Sequence, residues 1–148
     1  MATRVIGYWG TTILLVFLIL TGGVAEVAHA WGTLETVTIL GYPPYFLTIL
    51  GVWKILGAIA LLAPRFPRLK EWTYAGIVFG MTGAAVSHMM SSDFGPYAFH
   101  LIVPLSLAGL AIVSWALRPQ SRTLGLLSPA APRASSATVG SKRAPWSA

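Results

Sequence analysis

Five ionisable residues sit in the apolar part of this 148-residue chain: Glu26, His29, Lys54, His88 and His100. An ammonium and a carboxylate can pair, or together hold a small polar head group. Imidazoles can relay protons, donate to a carbonyl or ligate a metal. Glu26 and His29 are three apart, so they share one helical face, with Gly22 beside them. Lys54 shares a face with Gly51 and Ala58. His88 closes a run of small residues, Gly76, Gly80, Gly83, Ala84 and Ser87, whose spacing places them on one stripe. His100 lies above Pro104 and Ala108. Small residues on these faces allow close approach of helix backbones, so each ionisable group is expected to face a neighbouring helix.

Several chemistries are poorly served. There is no cysteine, which removes thiol catalysis, thiolate zinc sites and four-thiolate iron–sulfur clusters. Ser87 and His88 are adjacent in sequence, so on a helix they point about 100° apart and make no nucleophile–base pair. No glycine-rich phosphate motif occurs. Glu26, His29, His88 and His100 could in principle ligate a metal or, through two histidines, a haem. Without a two-histidine helical turn or any other local ligand spacing, no metal and no intrinsic cofactor is expected.

The elements that must position these residues follow from composition. The chain is 55% hydrophobic and 9% charged, against about 25% charged for a soluble domain. Such sparse charge cannot cover a water-facing surface, and an integral membrane protein remains. A span needs about 20 mainly apolar residues. Four segments qualify, near Val5–Ala28, Tyr45–Ala63, Trp72–Ser91 and Tyr97–Leu117. None alternates as a barrel strand does. Gly41-Tyr42-Pro43-Pro44 precedes span two, Pro64-Arg65-Phe66-Pro67-Arg68 ends it, and Ser91-Ser92-Asp93-Phe94-Gly95-Pro96 separates spans three and four. Connectors this short make antiparallel neighbours. The fold class is therefore all-α: an integral membrane four-helix up-down bundle over residues 1–118, followed by a disordered basic tail over 119–148.

The net charge of +6 follows the same topology. Arg4, then Arg65, Arg68 and Lys70, then Arg118 and Arg122 fall on one side of a four-span chain, whereas the other two loops carry Glu35 and Asp93 and no Lys or Arg. Both termini are expected in the cytoplasm, with the chain in the cell inner membrane. Tyr8, Trp9, Trp72 and Tyr74 lie near one interface, and Trp31, Tyr42 and Tyr45 near the other, where aromatic rings anchor. Ala28-His29-Ala30 resembles a signal-peptidase site, but the apolar run before it is longer than a usual leader core, so span one is expected to remain. Basicity here reports topology and a tail, and nucleic acid is not an expected partner.

At about 1.5 Å per residue, Glu26, His88 and His100 lie roughly 3–8 Å from the outer boundary. Lys54 starts near the midplane, and its stem reaches about 6 Å outward. A lone ammonium there costs at least about 2.5–3.5 kcal/mol. Glu26, the one acid inside any span, is its expected partner. The candidate ligand-binding set is thus Lys54, His88, Glu26 and His100. Two readings stand side by side: a pair that fixes helix register, or a polar pocket in the outer half for a small or quinone-like head group.

Gly41-Tyr42-Pro43, Tyr45-Phe46-Leu47, Leu50-Gly51-Val52-Trp53-Lys54, Pro64-Arg65 with Lys70-Glu71-Trp72-Thr73-Tyr74-Ala75-Gly76, Gly83-Ala84-Ala85 and Ser87-His88 together resemble the DoxX-like family of small bacterial membrane proteins. The likeness covers all four spans. It implies a four-helix membrane bundle, and it implies association with quinone-linked respiratory or thiosulfate oxidation, with a quinone and a redox partner protein as partners. Lys54 and His88 are the residues it carries over. The alternatives are a non-catalytic binding or assembly protein for a partner complex and a small exporter, the latter disfavoured because the charged groups occupy the outer half only; a second copy of the chain, in a homo-oligomer, is a further expected partner.

With no native cysteine, single cysteines report topology directly. At Thr36 or Ser92 they should react with a membrane-impermeant maleimide in intact cells, and at Phe66 or Ser121 only after lysis; the reverse pattern would invert the orientation.

Overall fold

Proline and glycine set the helix ends. Pro44 and Pro67 each stand in the first turn of a helix, where a missing N–H costs nothing. Gly41 precedes Pro44 with φ +81°, a conformation that reverses the chain. A computed structural model describes residues 2–95 and 98–119. It contains five α-helices: α1 (Ala2–Val27), α2 (Thr33–Ile39), α3 (Pro44–Leu62), α4 (Pro67–Met90) and α5 (Phe99–Ala116). The expected tail from Gln120 onward, and Tyr97 at the expected start of span four, lie outside the described residues.

The four long helices alternate in direction. Gly23 of α1 meets Gly51 and Lys54 of α3, whereas His29, further along, meets Thr48. Lys70 of α4 reaches the last carbonyls of α3. Glu71 and Tyr74 lie beside Trp115 and Ser114 of α5, and His88 beside His100. Arg4 and Thr12 of α1 reach Ala116 and Ser114. The bundle thus has a terminal end, with the start of α1 and the end of α5, and a loop end, with α2 and the α4–α5 connection. All four long helices feed one core, including Leu15, Ile19, Ala58, Leu61, Ile77, Met81, Ala108 and Ala111. Outside it the surface is apolar: Ile6, Phe17, Ile59, Phe79 and Ile102 are each more than half exposed.

Three expectations need correction. First, α2 is a fifth helix where only a connector was expected. It is seven residues long, and its Thr–Val–Thr–Ile run is too short to show a period. Second, among the described residues three helices, α1, α3 and α5, are long and apolar enough to cross a membrane by themselves, not four. The expected third span, Trp72–Ser91, lies in α4, whose glycines, threonines, serine and histidine dilute its hydropathy. α4 nevertheless runs alongside α5 from Glu71–Trp115 to His88–His100 and so shares its depth. Third, the glycines of the small-residue stripe of α4 do not face the bundle, although His88 at its end does. Gly76, Gly80 and Gly83 are exposed, and a Cβ added at any of them would meet nothing within 4 Å. The buried face is Lys70, Tyr74, Ile77, Met81, Ala85 and His88, spaced four, three, four, four and three.

The close helix crossing is instead between α1 and α3. A Cβ on Gly51 would lie 2.6 Å from the Gly23 carbonyl oxygen, and one on Gly23 would lie 2.9 Å from the Gly51 oxygen. Both obstacles are backbone, so neither can swing aside. This contact sets the separation across which Glu26 and Lys54 meet.

Several threonines are satisfied within their own helices. Thr11, Thr21, Thr73 and Thr82 each donate to the carbonyl four residues back, at 2.8 Å. Lys70, 2% exposed, donates to the Leu61 carbonyl and, at 3.4 Å, to that of Ala60. These are among the α3 carbonyls that have no helical donor, and a cation at a helix C-terminus also complements its dipole.

Gly51→Val should therefore force α1 and α3 apart and destabilise the protein by about 1–3 kcal/mol. Gly80→Ala, with open space around it and a better helix former in place, should be neutral or gain up to about 1 kcal/mol. Reversible unfolding of the detergent-solubilised variants checks both; equal losses at the two sites would contradict the packing described.

Candidate functional site

The four candidate residues arrive as two pairs at the loop end. Glu26 lies in the last turn of α1 and Lys54 in the middle of α3, and the Gly23–Gly51 crossing holds those helices close enough for the pair to meet. The Lys54 ammonium donates to Glu26 Oε1 as a salt bridge, with side chains 23% and 13% exposed. The pair is incompletely satisfied. Glu26 Oε2 is buried and has no partner among the described residues. An ammonium has three donors, and only one is engaged by a described acceptor.

The second pair meets at a third residue, Asp93, that sequence spacing missed. His88, in the last turn of α4, and His100, in the first turn of α5, both turn Nδ1 toward Asp93 Oδ2, at 3.1 and 3.0 Å. Their rings lie 4.7 Å apart between centroids, tilted by 37°. Asp93 was legible only as a loop acid on the side opposite the basic residues. Its partners stand five residues before it and seven after, and both intervals run from a loop into a helix, so no single period relates them. What brings them together is the connection itself. Ser92, Gly95 and Ala98 all have positive φ. The Asp93 amide donates to the His88 carbonyl at 3.1 Å, and the His100 amide to that of Phe94 at 3.2 Å. At Gly95 a Cβ would lie 2.9 Å from His100 Nδ1, so the ring occupies the space a side chain would fill.

No described hydrogen bond or ion pair joins the two pairs. Their surroundings touch through Tyr42, before α3, whose hydroxyl is 3.0 Å from that of Ser87 in α4. His29, on the face expected to carry Glu26, lies beyond the helix end and meets Thr48 Oγ1 at 3.3 Å. It belongs to neither cluster.

The terminal end is built differently. Ser114 sits between Thr12 and Tyr74, 2.8 Å from one hydroxyl and 2.9 Å from the other. Arg118, 4% exposed, donates to Glu71 at 2.5 Å and lies 5.4 Å from the Tyr74 ring centroid; Trp115 donates to the other Glu71 oxygen at 2.8 Å. A groove of about 350 Å³ opens here between α4 and α5, walled by Ala75, Val78, Phe79, Ala111 and Ile112. None of the four candidate residues lines it. Glu71, at its polar rim, already has both oxygens engaged, so the groove offers a slot to an acyl chain and little to a head group.

Comparison with curated proteins and with solved structures gives no match. The family profile for DoxX-like proteins matches residues 10–114, which takes in both loop-end pairs, the α3–α4 turn and the Ser114 cluster. With that match over more than half of its length, this multi-pass helical membrane chain belongs to the DoxX-like family.

Proposed function

We propose that the protein is a small component of a quinone-linked redox system, and that Glu26 and Lys54 hold the quinone head group. The observation that carries this reading is the half-satisfied ion pair. In hydrocarbon, an unpaired carboxylate oxygen and spare ammonium protons are costly. A ligand with an oxygen acceptor and a hydroxyl donor relieves both. A quinol hydroxyl meets both, accepting from Lys54 and donating to Glu26 Oε2, whereas the oxidised quinone offers its carbonyl to Lys54 alone. As electrons enter a quinone, negative charge develops on its oxygens, and an ammonium already aimed there stabilises the reduced forms. The isoprenoid tail of such a ligand lies along the apolar outer surface of the bundle. The chain carries no redox-cofactor motif, so electrons come from a partner protein. In this reading the protein is in the bacterial inner membrane with both termini in the cytoplasm, which places the loop end on the outer side.

The outward-facing glycines of α4 favour a second reading, a non-catalytic assembly protein. Gly76, Gly80 and Gly83 leave open space in which a partner helix can approach closely.

Purification in mild detergent without added quinone, followed by mass spectrometry of extracted lipids, distinguishes them. Quinone should accompany the wild type and fall at least about tenfold in Lys54→Ala. No quinone in either, with a protein partner retained, would overturn the redox reading in favour of assembly.

A further inference from the structure

We infer that His88, Asp93 and His100 form a binding site for one first-row divalent transition-metal ion, of which zinc is the type, at the loop end of the bundle. One ligand atom from each residue lies within 4.8 Å of the other two. The two Nδ1–Oδ2 separations, 3.1 and 3.0 Å, are close to the roughly 3.3 Å between donors on a tetrahedral ion with bonds of about 2.0 Å. An ion between them replaces the two hydrogen-bonded protons with little movement of the ligands.

The charges around the site agree with this. Asp93 is 18% exposed at its side chain, and its described side-chain partners are the two imidazoles, with no Lys or Arg among them. A divalent cation supplies the compensating charge. An imidazole that ligates through Nδ1 carries its proton on Nε2. His100, with 26% side-chain exposure, can present its Nε2–H to water. Two imidazoles and a carboxylate make a nitrogen–oxygen set suited to zinc and its neighbours rather than to calcium or magnesium, and the chain has no thiolate to compete. Three protein ligands leave coordination positions for water.

The ligands are also preorganised. They come from two helix ends and the short connection between them, tied by the Asp93–His88 and His100–Phe94 backbone bonds. Gly95, with φ +62°, is the residue that lets the His100 ring lie against the loop. The site does not use Glu26 or Lys54, so it stands or falls independently of the quinone reading.

The test uses full-length protein carrying a tag without histidine, in detergent free of phospholipid, stripped with chelator and dialysed against micromolar zinc(II) or cobalt(II). The wild type should retain one ion per chain by elemental analysis, and cobalt should give visible d–d absorption that zinc abolishes. His29→Gln should behave as the wild type. His88→Gln, His100→Gln and Asp93→Asn should each weaken binding by at least about tenfold. The cobalt spectrum of the wild type decides the question even where a variant fails to fold. Substoichiometric metal in the wild type, a spectrum of aquo-cobalt only, or binding that survives loss of Asp93 and of either histidine would overturn the site.

Discussion

Hydrocarbon offers no hydrogen bonds, and this single constraint organises the molecule. Every polar group carried into the bundle needs a partner from the chain itself. Threonines meet it within their own helices. Ser114 meets it across three helices, joining Thr12 of α1 to Tyr74 of α4. Lys70 meets it by capping α3, and in doing so locks the α3–α4 turn against the end of the helix it follows. These contacts make the terminal end a clamp: α1, α4 and α5 share one hydroxyl cluster, and α3 is held by a buried lysine.

Neither end meets the constraint in full. At the terminal end Arg118 Nε and Nη1 are buried without a hydrogen-bond partner among the described residues, packed against the Tyr74 and Trp115 rings. At the loop end a carboxylate oxygen stands unmet beside an ammonium, which is the combination a polar ligand can use. Glu26 and Lys54 neutralise each other but leave an oxygen and ammonium protons without described partners. Asp93 serves two imidazoles with one oxygen. Both arrangements are stable because helix geometry forces them: the Gly23–Gly51 crossing fixes one pair, and the three positive-φ residues of the α4–α5 connection fix the other. A rigid frame around incompletely satisfied charge is the condition under which a ligand gains most by binding.

Much of this was legible in the residues. Apolar run lengths and proline positions place the four long helices to within a few residues, except that α4 begins five residues before the expected span, at Pro67. The Glu26–Lys54 pair was legible because a span holding one lysine and a bundle holding one intramembrane acid leave few pairings. Other features were hidden for physical reasons. A helix with glycine on one face and Tyr74, Ile77 and Met81 on another has two plausible packing faces, and the partner helices choose between them; here they chose the larger side chains. Lys70 and Arg118 read as topology charges, yet both are buried, because a long side chain can carry its charge back to a helix end or an aromatic face. Asp93 was hidden because its neighbours are set by backbone conformation in a loop, where sequence carries no period.

The central claim is that the Glu26–Lys54 pair is kept for its unmet hydrogen-bonding capacity as well as for helix register. Exchanging the two residues tests it directly. Glu26→Lys combined with Lys54→Glu retains the ion pair but inverts which helix presents the ammonium. The account predicts that the exchanged protein recovers most of the thermal stability lost in either single variant while its copurifying quinone, measured by mass spectrometry, remains depleted. Recovery of stability together with wild-type quinone content would contradict it, and so would a wild type that carries no quinone.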